Sequence, residues 1–424
     1  MLRFAHNPVR DMNVGDLRIA LINYIVSQQQ KEDLIIRIED TNQEKDIDIK
    51  DNETLDILAL FGIKYSQVIH QSQNVRFHTA MAIQLLHEKK AFSCFCSSSW
   101  IEKQKAKAKS SKKMYLYDDA CKNLPAELVI DNENPFTIRI IKPNKPIIIN
   151  DKIKGNISSH PETMDSFMIM TQEKTPTYNF SCAIDDMLND ISIVIKDKNT
   201  LNDTFKEEHI RKSLNYDKNI EYAHISNITN DNLPSIKYLL EEGYLPDAIS
   251  NYLISIDYNK IPTKLFNTQE CIDWFELCKL SENPILFDIE TLKHINKEHL
   301  KILDAKELSR YVGFADEDIG ELARIYLEEA NTTKELKSKI KPIFAKKEIP
   351  NELLPQITII KDIIKNMQYF ENYNDFKNYI LEKSKLGEQI FAKCLRILLT
   401  NTENGPNIEE IYKYLKNYIG EITK

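Results

Sequence analysis

Leu2-Arg3-Phe4-Ala5 and Leu34-Ile35-Ile36-Arg37-Ile38, two short and mainly apolar runs on either side of the amphipathic stretch Asp16 to Ser27, decide how this chain folds. Each run has the length of a strand, and the stretch between them repeats its apolar residues at helical spacing. A further helical pattern, Glu53 to Leu60, follows the second run. Strand, helix, strand, helix is the opening of a parallel α/β sheet, because two parallel neighbours need a crossover long enough to hold a helix.

Further along, a helix is expected around Arg76 to Lys89. It leads into Ala91-Phe92-Ser93-Cys94-Phe95-Cys96, then into Lys103 to Lys113 with its six lysines, and then into a β-rich stretch from Phe136 to Ile157. This block reads as an insertion between two halves of the sheet, and the lysine run as a solvated helix face. Strand and helix alternate again from Asp165 to about His224. Beyond roughly Leu233 the pattern is helical with short polar connections.

Composition bounds the answer. A chain of 424 residues exceeds the usual single domain, so several domains are expected. With 42% hydrophobic and 28% charged residues and no apolar run near membrane-span length, it reads as soluble. No export signal is read at Met1 to Ala5, and seven irregularly spaced cysteines do not form a disulfide framework, so a cytoplasmic location is expected. A net charge of −8 argues against indiscriminate coating of nucleic acid, although a local basic surface remains compatible with it. Only nine glycines occur, so phosphate-cradling loops should be scarce.

Three stretches carry a resemblance: Arg3-Phe4-Ala5, Arg37-Ile38-Glu39-Asp40-Thr41, and Thr175-Pro176-Thr177-Tyr178-Asn179-Phe180 followed by Asp185-Asp186. In order and separation they resemble bacterial glutamyl-tRNA synthetases of class I. The match continues through Tyr222-Ala223-His224, through Glu241 to Ala248, and through Phe287-Asp288-Ile289 to Asn296. The resemblance implies an α/β fold: a Rossmann-type catalytic domain (1–75 and 165–225), an inserted α+β acceptor-stem-binding domain (76–164), a stem-contact region (226–300) and an α-helical anticodon-binding domain (301–424). It also implies glutamate, ATP, Mg²⁺ and a glutamate- or glutamine-type tRNA as partners, and a monomer. Glutamate would meet Arg3, Ala5, Glu39, Tyr178, Asn179 and Lys196. The residue types suit this, since an α-amino acid needs an anion for its ammonium and donors for its carboxylates. Taken alone, Arg3 and Glu39 would read as an ordinary ion pair and Tyr178 as a core residue.

The nucleotide motifs of the family are altered. Where relatives carry a Pro-Ser-Pro-Thr-Gly loop and a His-Ile-Gly-His-like signature, this chain has His6-Asn7-Pro8-Val9-Arg10 and Asn13-Val14-Gly15-Asp16. Asn13 keeps a donor but loses cationic character, and Asp16, if it faces phosphates, opposes them by roughly 3 kcal/mol at about 5 Å and an effective dielectric near 20. The Arg-Gly-Glu-Asp-His motif aligns with Lys196-Asp197-Lys198-Asn199-Thr200, where a lysine cannot make a planar two-point grip. The lysine-containing mobile loop, near Lys-Met-Ser-Lys-Arg in relatives, has no room between Ile225 and Lys237, and Lys237 is left as the nearby cation. Such damage at one site leads to the expectation that activation of glutamate is weak or lost, in a synthetase or in a non-catalytic tRNA- or protein-binding paralogue. Truncated relatives that modify a tRNA base lack the helical C-terminal part present here.

Cys94, Cys96 and Cys121 have the spacing of zinc ligands in some glutamyl-tRNA synthetases, with Tyr117 or no residue as the fourth ligand and Asn123 a poor substitute. Three thiolates do not close a structural tetrahedron, so less than one zinc per chain is expected.

Overall fold

In the computed structural model residues 1–41, 47–230 and 232–424 are described. Contacts divide the chain into two compact units, Met1–Ile236 with Leu253–Phe287, and Lys237–Tyr252 with Asp288–Lys424.

The first unit is built on a seven-stranded sheet. Its strands are β1 (Leu2–His6), β2 (Leu34–Ile38) and β3 (Gln67–His70), then, after two strands given below, β6 (Ile147–Asp151), β7 (Gly155–Ser159), β9 (Ile193–Asp197) and β10 (Glu221–Ile225). Their spatial order is β3-β2-β1-β9-β10-β6-β7, with every neighbouring pair parallel except the last. β2 is buried along its whole length and β1, β9 and β10 nearly so. That burial on both faces explains why they read as near-continuous apolar runs. The first helix, Val14–Gln30, crosses from β1 to β2 and buries Leu17, Leu21, Ile22 and Ile25 among others. Its buried Arg18 donates to Asp257 Oδ2 (2.7 Å) and to the carbonyl oxygens of Ser226 (2.7 Å) and Leu253 (3.2 Å), which fixes the Leu253–Phe287 segment to this sheet.

The strand order reverses between β1 and β9. In open parallel sheets the crevice beyond the carboxyl ends at such a reversal is where ligands are received.

A separate antiparallel sheet is formed by β4 (Ala91–Cys94), β5 (Thr137–Ile140) and β8 (Met168–Met170) in the order β4-β5-β8. The β-rich stretch from Phe136 to Ile157 is therefore shared between two sheets: β5 stays with the insertion, while the β6–β7 hairpin extends the main sheet. Alternation reveals a strand but not its partner.

The second unit is helical. Leu308, Val312, Ile319, Leu322, Leu336, Ile340, Phe391 and Leu398 belong to one continuous core. Helices Ala305–Val312 and Glu317–Ile325 approach so closely that a Cβ on Gly320 would lie 1.7 Å from the Ala305 carbonyl oxygen. Asn296, buried, accepts from Leu245 N (2.8 Å) and donates to the Asn331 carbonyl (2.6 Å). The helical expectation beyond Leu233 thus holds, although the compact unit begins at Lys237 and omits 253–287. No helix among the described residues is long and apolar enough to cross a membrane.

Candidate functional site

A cavity of about 320 Å³ opens at the β1/β9 reversal. The carboxyl end of β1 contributes Ala5 and His6, that of β9 contributes Lys196 and Asp197, and the start of the first helix contributes Asn13, Gly15 and Asp16. Arg3, Glu39 and Tyr178, expected from sequence, also line it, together with Arg37, which was not. Tyr178, a core residue if judged alone, is 48% exposed here. Asn179 and Lys237 are not among the lining residues. Asn179 donates to Asp203 (3.1 Å), and Lys237 belongs to the second unit.

Beneath the cavity lies a buried ionic network. Asp186, on the helix Tyr178–Leu188, receives Arg3 Nε at 3.1 Å and Arg37 Nη1 at 2.6 Å. Arg37 also donates to Glu39 Oε1 at 3.1 Å and lies 3.3 Å from Cys182 Sγ. Burial pushes the Asp186 carboxyl up, but Arg3, Arg37 and Arg211 outweigh it and hold the group well below the usual carboxylate range. Arg37 was the residue least visible in advance. An arginine inside an otherwise apolar strand, two places before a glutamate, is the signal that marks it.

The start of the first helix is closed by the chain itself. Asn13 Oδ1 accepts from Gly15 N (2.8 Å) and Asp16 N (3.1 Å), while Asp16 Oδ2 accepts from Asn13 N (3.0 Å), a reciprocal capping box. The remaining amide of the first turn, Val14 N, donates to the Pro234 carbonyl (3.3 Å), and Ile236 N donates to the Met12 carbonyl (2.9 Å). The connection that precedes Lys237 is thus bridged onto the segment that enters the first helix, and its Leu233 lines the cavity. Asp231, within that connection, lies outside the described residues.

Two expectations about charge change. Asp16 is not an isolated anion: Arg10 grips both its oxygens, at 2.6 and 2.7 Å. Lys196 is not a spare cation either, because its Nζ donates to both oxygens of the buried Glu207, at 3.0 and 2.8 Å. His6 is buried, and desolvation lowers its pKa, so the ring at the floor of the cavity is neutral at pH 7.

Away from the cavity, the Sγ atoms of Cys94, Cys96 and Cys121 all lie within 4.8 Å of one another. Tyr117 joins them, its hydroxyl 3.4 Å from Cys94 Sγ and 3.5 Å from Cys96 Sγ. Burial would raise the Cys94 thiol, but the Tyr117 hydroxyl, the Cys96 backbone and Arg139 bring it down to about 7. Burial and the neighbouring thiols push Cys96 up to about 12.

The catalytic-domain model of the class I tRNA synthetases (E and Q) matches residues 1–294. The chain belongs to this family. It is 59% identical to glutamate--tRNA ligase 2 of Sulfurimonas denitrificans and 43% identical to glutamate--tRNA ligase 1 of a Nitratiruptor species, in each case over all of both chains. Its fold is that of the glutamate tRNA ligase from Elizabethkingia meningosepticum solved in complex with its amino acid. The TM-score is 0.81 at 20% identity, covering 100% of this chain and 98% of that one.

Proposed function

We propose that this synthetase-family chain keeps a site for glutamate and affinity for a tRNA of glutamate or glutamine type, but activates glutamate with ATP weakly or not at all. The observation that carries the proposal is the occupied start of the first helix. Backbone N–H groups at a helix N-terminus are natural partners for phosphate oxygens. Here Val14 N is taken by Pro234, and Gly15 N and Asp16 N are taken by Asn13. With Lys196 held by Glu207 and Arg10 by Asp16, the residues at this end of the cavity do not fit a triphosphate with its Mg²⁺. The named relatives align over 433 residues against the 424 of this chain.

The ancestral reaction joins the glutamate carboxylate to the adenylyl phosphate and then passes the activated acyl group to the terminal adenosine of tRNA. Loss of a preorganised donor for phosphate charge slows such steps by about 10² to 10³. Arg3, Glu39 and Tyr178 would orient glutamate, with Arg37 and Asp186 positioning Arg3 and Glu39 from below. The domain roles expected from sequence, acceptor-stem contact by the insertion and anticodon contact by the C-terminal helices, support retained tRNA binding, because such binding is spread over many phosphate contacts.

A slow but functional glutamate--tRNA ligase is the second reading, favoured by the 59% full-length identity to a protein of that name. Glutamate-dependent ATP–pyrophosphate exchange in the presence of tRNA separates the two. Zinc is a further expectation of this reading. The fourth position, left from sequence to Tyr117 or to no residue, is approached by the Tyr117 hydroxyl, and Cys94, Cys96, Cys121 and Tyr117 together would suit a tetrahedral metal, against the sequence expectation of less than one zinc per chain.

A further inference from the structure

His6, the last residue of β1, lines the candidate functional site at a position where the family loop begins with proline. Its imidazole is a departure from the family pattern, not part of the shared framework. The residue is 3% exposed, and among the described residues its Nε2 has no hydrogen-bond partner. Leaving a buried polar atom unmatched is costly, so a free imidazole nitrogen kept in a cavity wall points to a ligand that supplies the match.

The ring is held in place. It stacks on Phe4, with centroids 6.2 Å apart and 18° between the planes, and the His6 carbonyl oxygen accepts from Glu39 N at 2.9 Å. That bond sets Glu39, just beyond β2, beside His6, and both line the same cavity. The Arg10 backbone hydrogen-bonds the ring. Since Nε2 is not the atom engaged, Nδ1 carries the proton and Nε2 presents a lone pair. Desolvation disfavours a charged ring most strongly and the Arg10 guanidinium adds to this, whereas Asp16 and Glu39 favour it. Arg3, Lys196 and Asp197 share the wall, with Arg3 bonded to Asp186 and Lys196 to Glu207.

We infer that His6 binds the α-ammonium of the amino acid, its Nε2 accepting one N–H while the Glu39 carboxylate takes another. The inference rests on the reading of this cavity as a glutamate site. An ammonium has three N–H donors, and a single carboxylate at its side leaves room for a further acceptor. A neutral imidazole supplies that acceptor without adding charge, so it favours a ligand with an ammonium over one without. Protonation reverses the preference, because the ring then presents an N–H and a positive charge to the same group.

The test is calorimetric titration of the full chain with glutamate and with 2-oxoglutarate, which keeps both carboxylates but has a ketone oxygen in place of the ammonium. Titrations run between about pH 7.5 and about pH 5.5, the range in which a histidine changes charge. In the parent, glutamate affinity should fall as pH drops below the ordinary histidine value of 6.5, while 2-oxoglutarate affinity holds or rises. His6→Ala should bind glutamate about tenfold more weakly at the higher pH, leave 2-oxoglutarate binding level or stronger, and abolish the difference between the two pH profiles. His6→Gln, whose amide oxygen is an acceptor that does not titrate, should recover much of the glutamate affinity with a flat profile. Equal weakening of both ligands in His6→Ala would mean a disturbed pocket and overturn the inference, as would parallel pH profiles in the parent. Glutamate binding that His6→Ala leaves unchanged overturns the inference alone. A parent that binds no glutamate at any pH defeats the glutamate-site reading, and the inference with it.

Discussion

Removing the Asn13 side chain tests directly whether the closed helix terminus keeps phosphate out. In Asn13→Ala the two amides now bonded to Asn13 Oδ1, those of Gly15 and Asp16, lose their acceptor, while Val14 N stays with Pro234. Loss of an N-cap costs about 1 kcal/mol, which for a compact unit of this size is roughly 2 °C or less in Tm. The same change exposes two donors at the positive end of the helix. An anion held there gains about 1 kcal/mol, roughly a fivefold fall in Kd. The predicted outcome is therefore a slightly less stable protein that binds inorganic pyrophosphate about fivefold more tightly, by isothermal titration calorimetry at low ionic strength. Asn13→Asp is the control: it keeps the cap and adds a negative charge, so stability should hold while pyrophosphate binding stays level or weakens. A destabilised Asn13→Ala protein with unchanged pyrophosphate affinity would refute the reasoning, because it would separate the cap from the exclusion of phosphate.

Asp186→Asn leaves Arg3 and Arg37 without their shared carboxylate and should cost about 3–5 kcal/mol in urea denaturation at pH 7. Because the folded pKa of Asp186 is depressed, its contribution is present above the unfolded value near pH 4 and is lost as pH falls through the lower folded value. The acid limb of the stability curve should accordingly be flatter in the variant, and parallel limbs would count against the network. Gly320→Ala forces a methyl against the Ala305 carbonyl and should destabilise the second unit by about 3 kcal/mol or more, seen as a lower denaturant midpoint; an unchanged midpoint would contradict the close packing. Elemental analysis should find close to one zinc per chain, reduced in Cys121→Ser. A protein that cannot be loaded with zinc would return the cluster to the sequence expectation of an incomplete ligand set.

Much of the fold was legible because buried parallel strands announce themselves as unbroken apolar runs. Leu34 to Ile38 is bounded in the structure as it was in the sequence. The β6–β7 hairpin was placed in the insertion because periodicity is a local property, whereas the choice of sheet depends on contacts with β10, some 70 residues away. At the site, residue types were readable but their partners were not. Asn13 looked like a weakened phosphate contact, and its role as a cap depends on the backbone turning into a helix at that point. Lys196 looked like an available cation until folding brought the next helix round and set Glu207 against it. Asp16 similarly acquired Arg10. Such pairings decide the chemistry, and they follow from tertiary geometry rather than from motif spelling.

The central claim, that the framework persists while adenylation does not, is tested most directly by glutamate-dependent ATP–pyrophosphate exchange with tRNA present, beside a relative whose motifs are intact. The account predicts exchange at least about 100-fold slower than that relative, a difference of about 2.7 kcal/mol in barrier. Exchange within about tenfold, near 1.4 kcal/mol, would contradict it and restore the chain to the working glutamate--tRNA ligases.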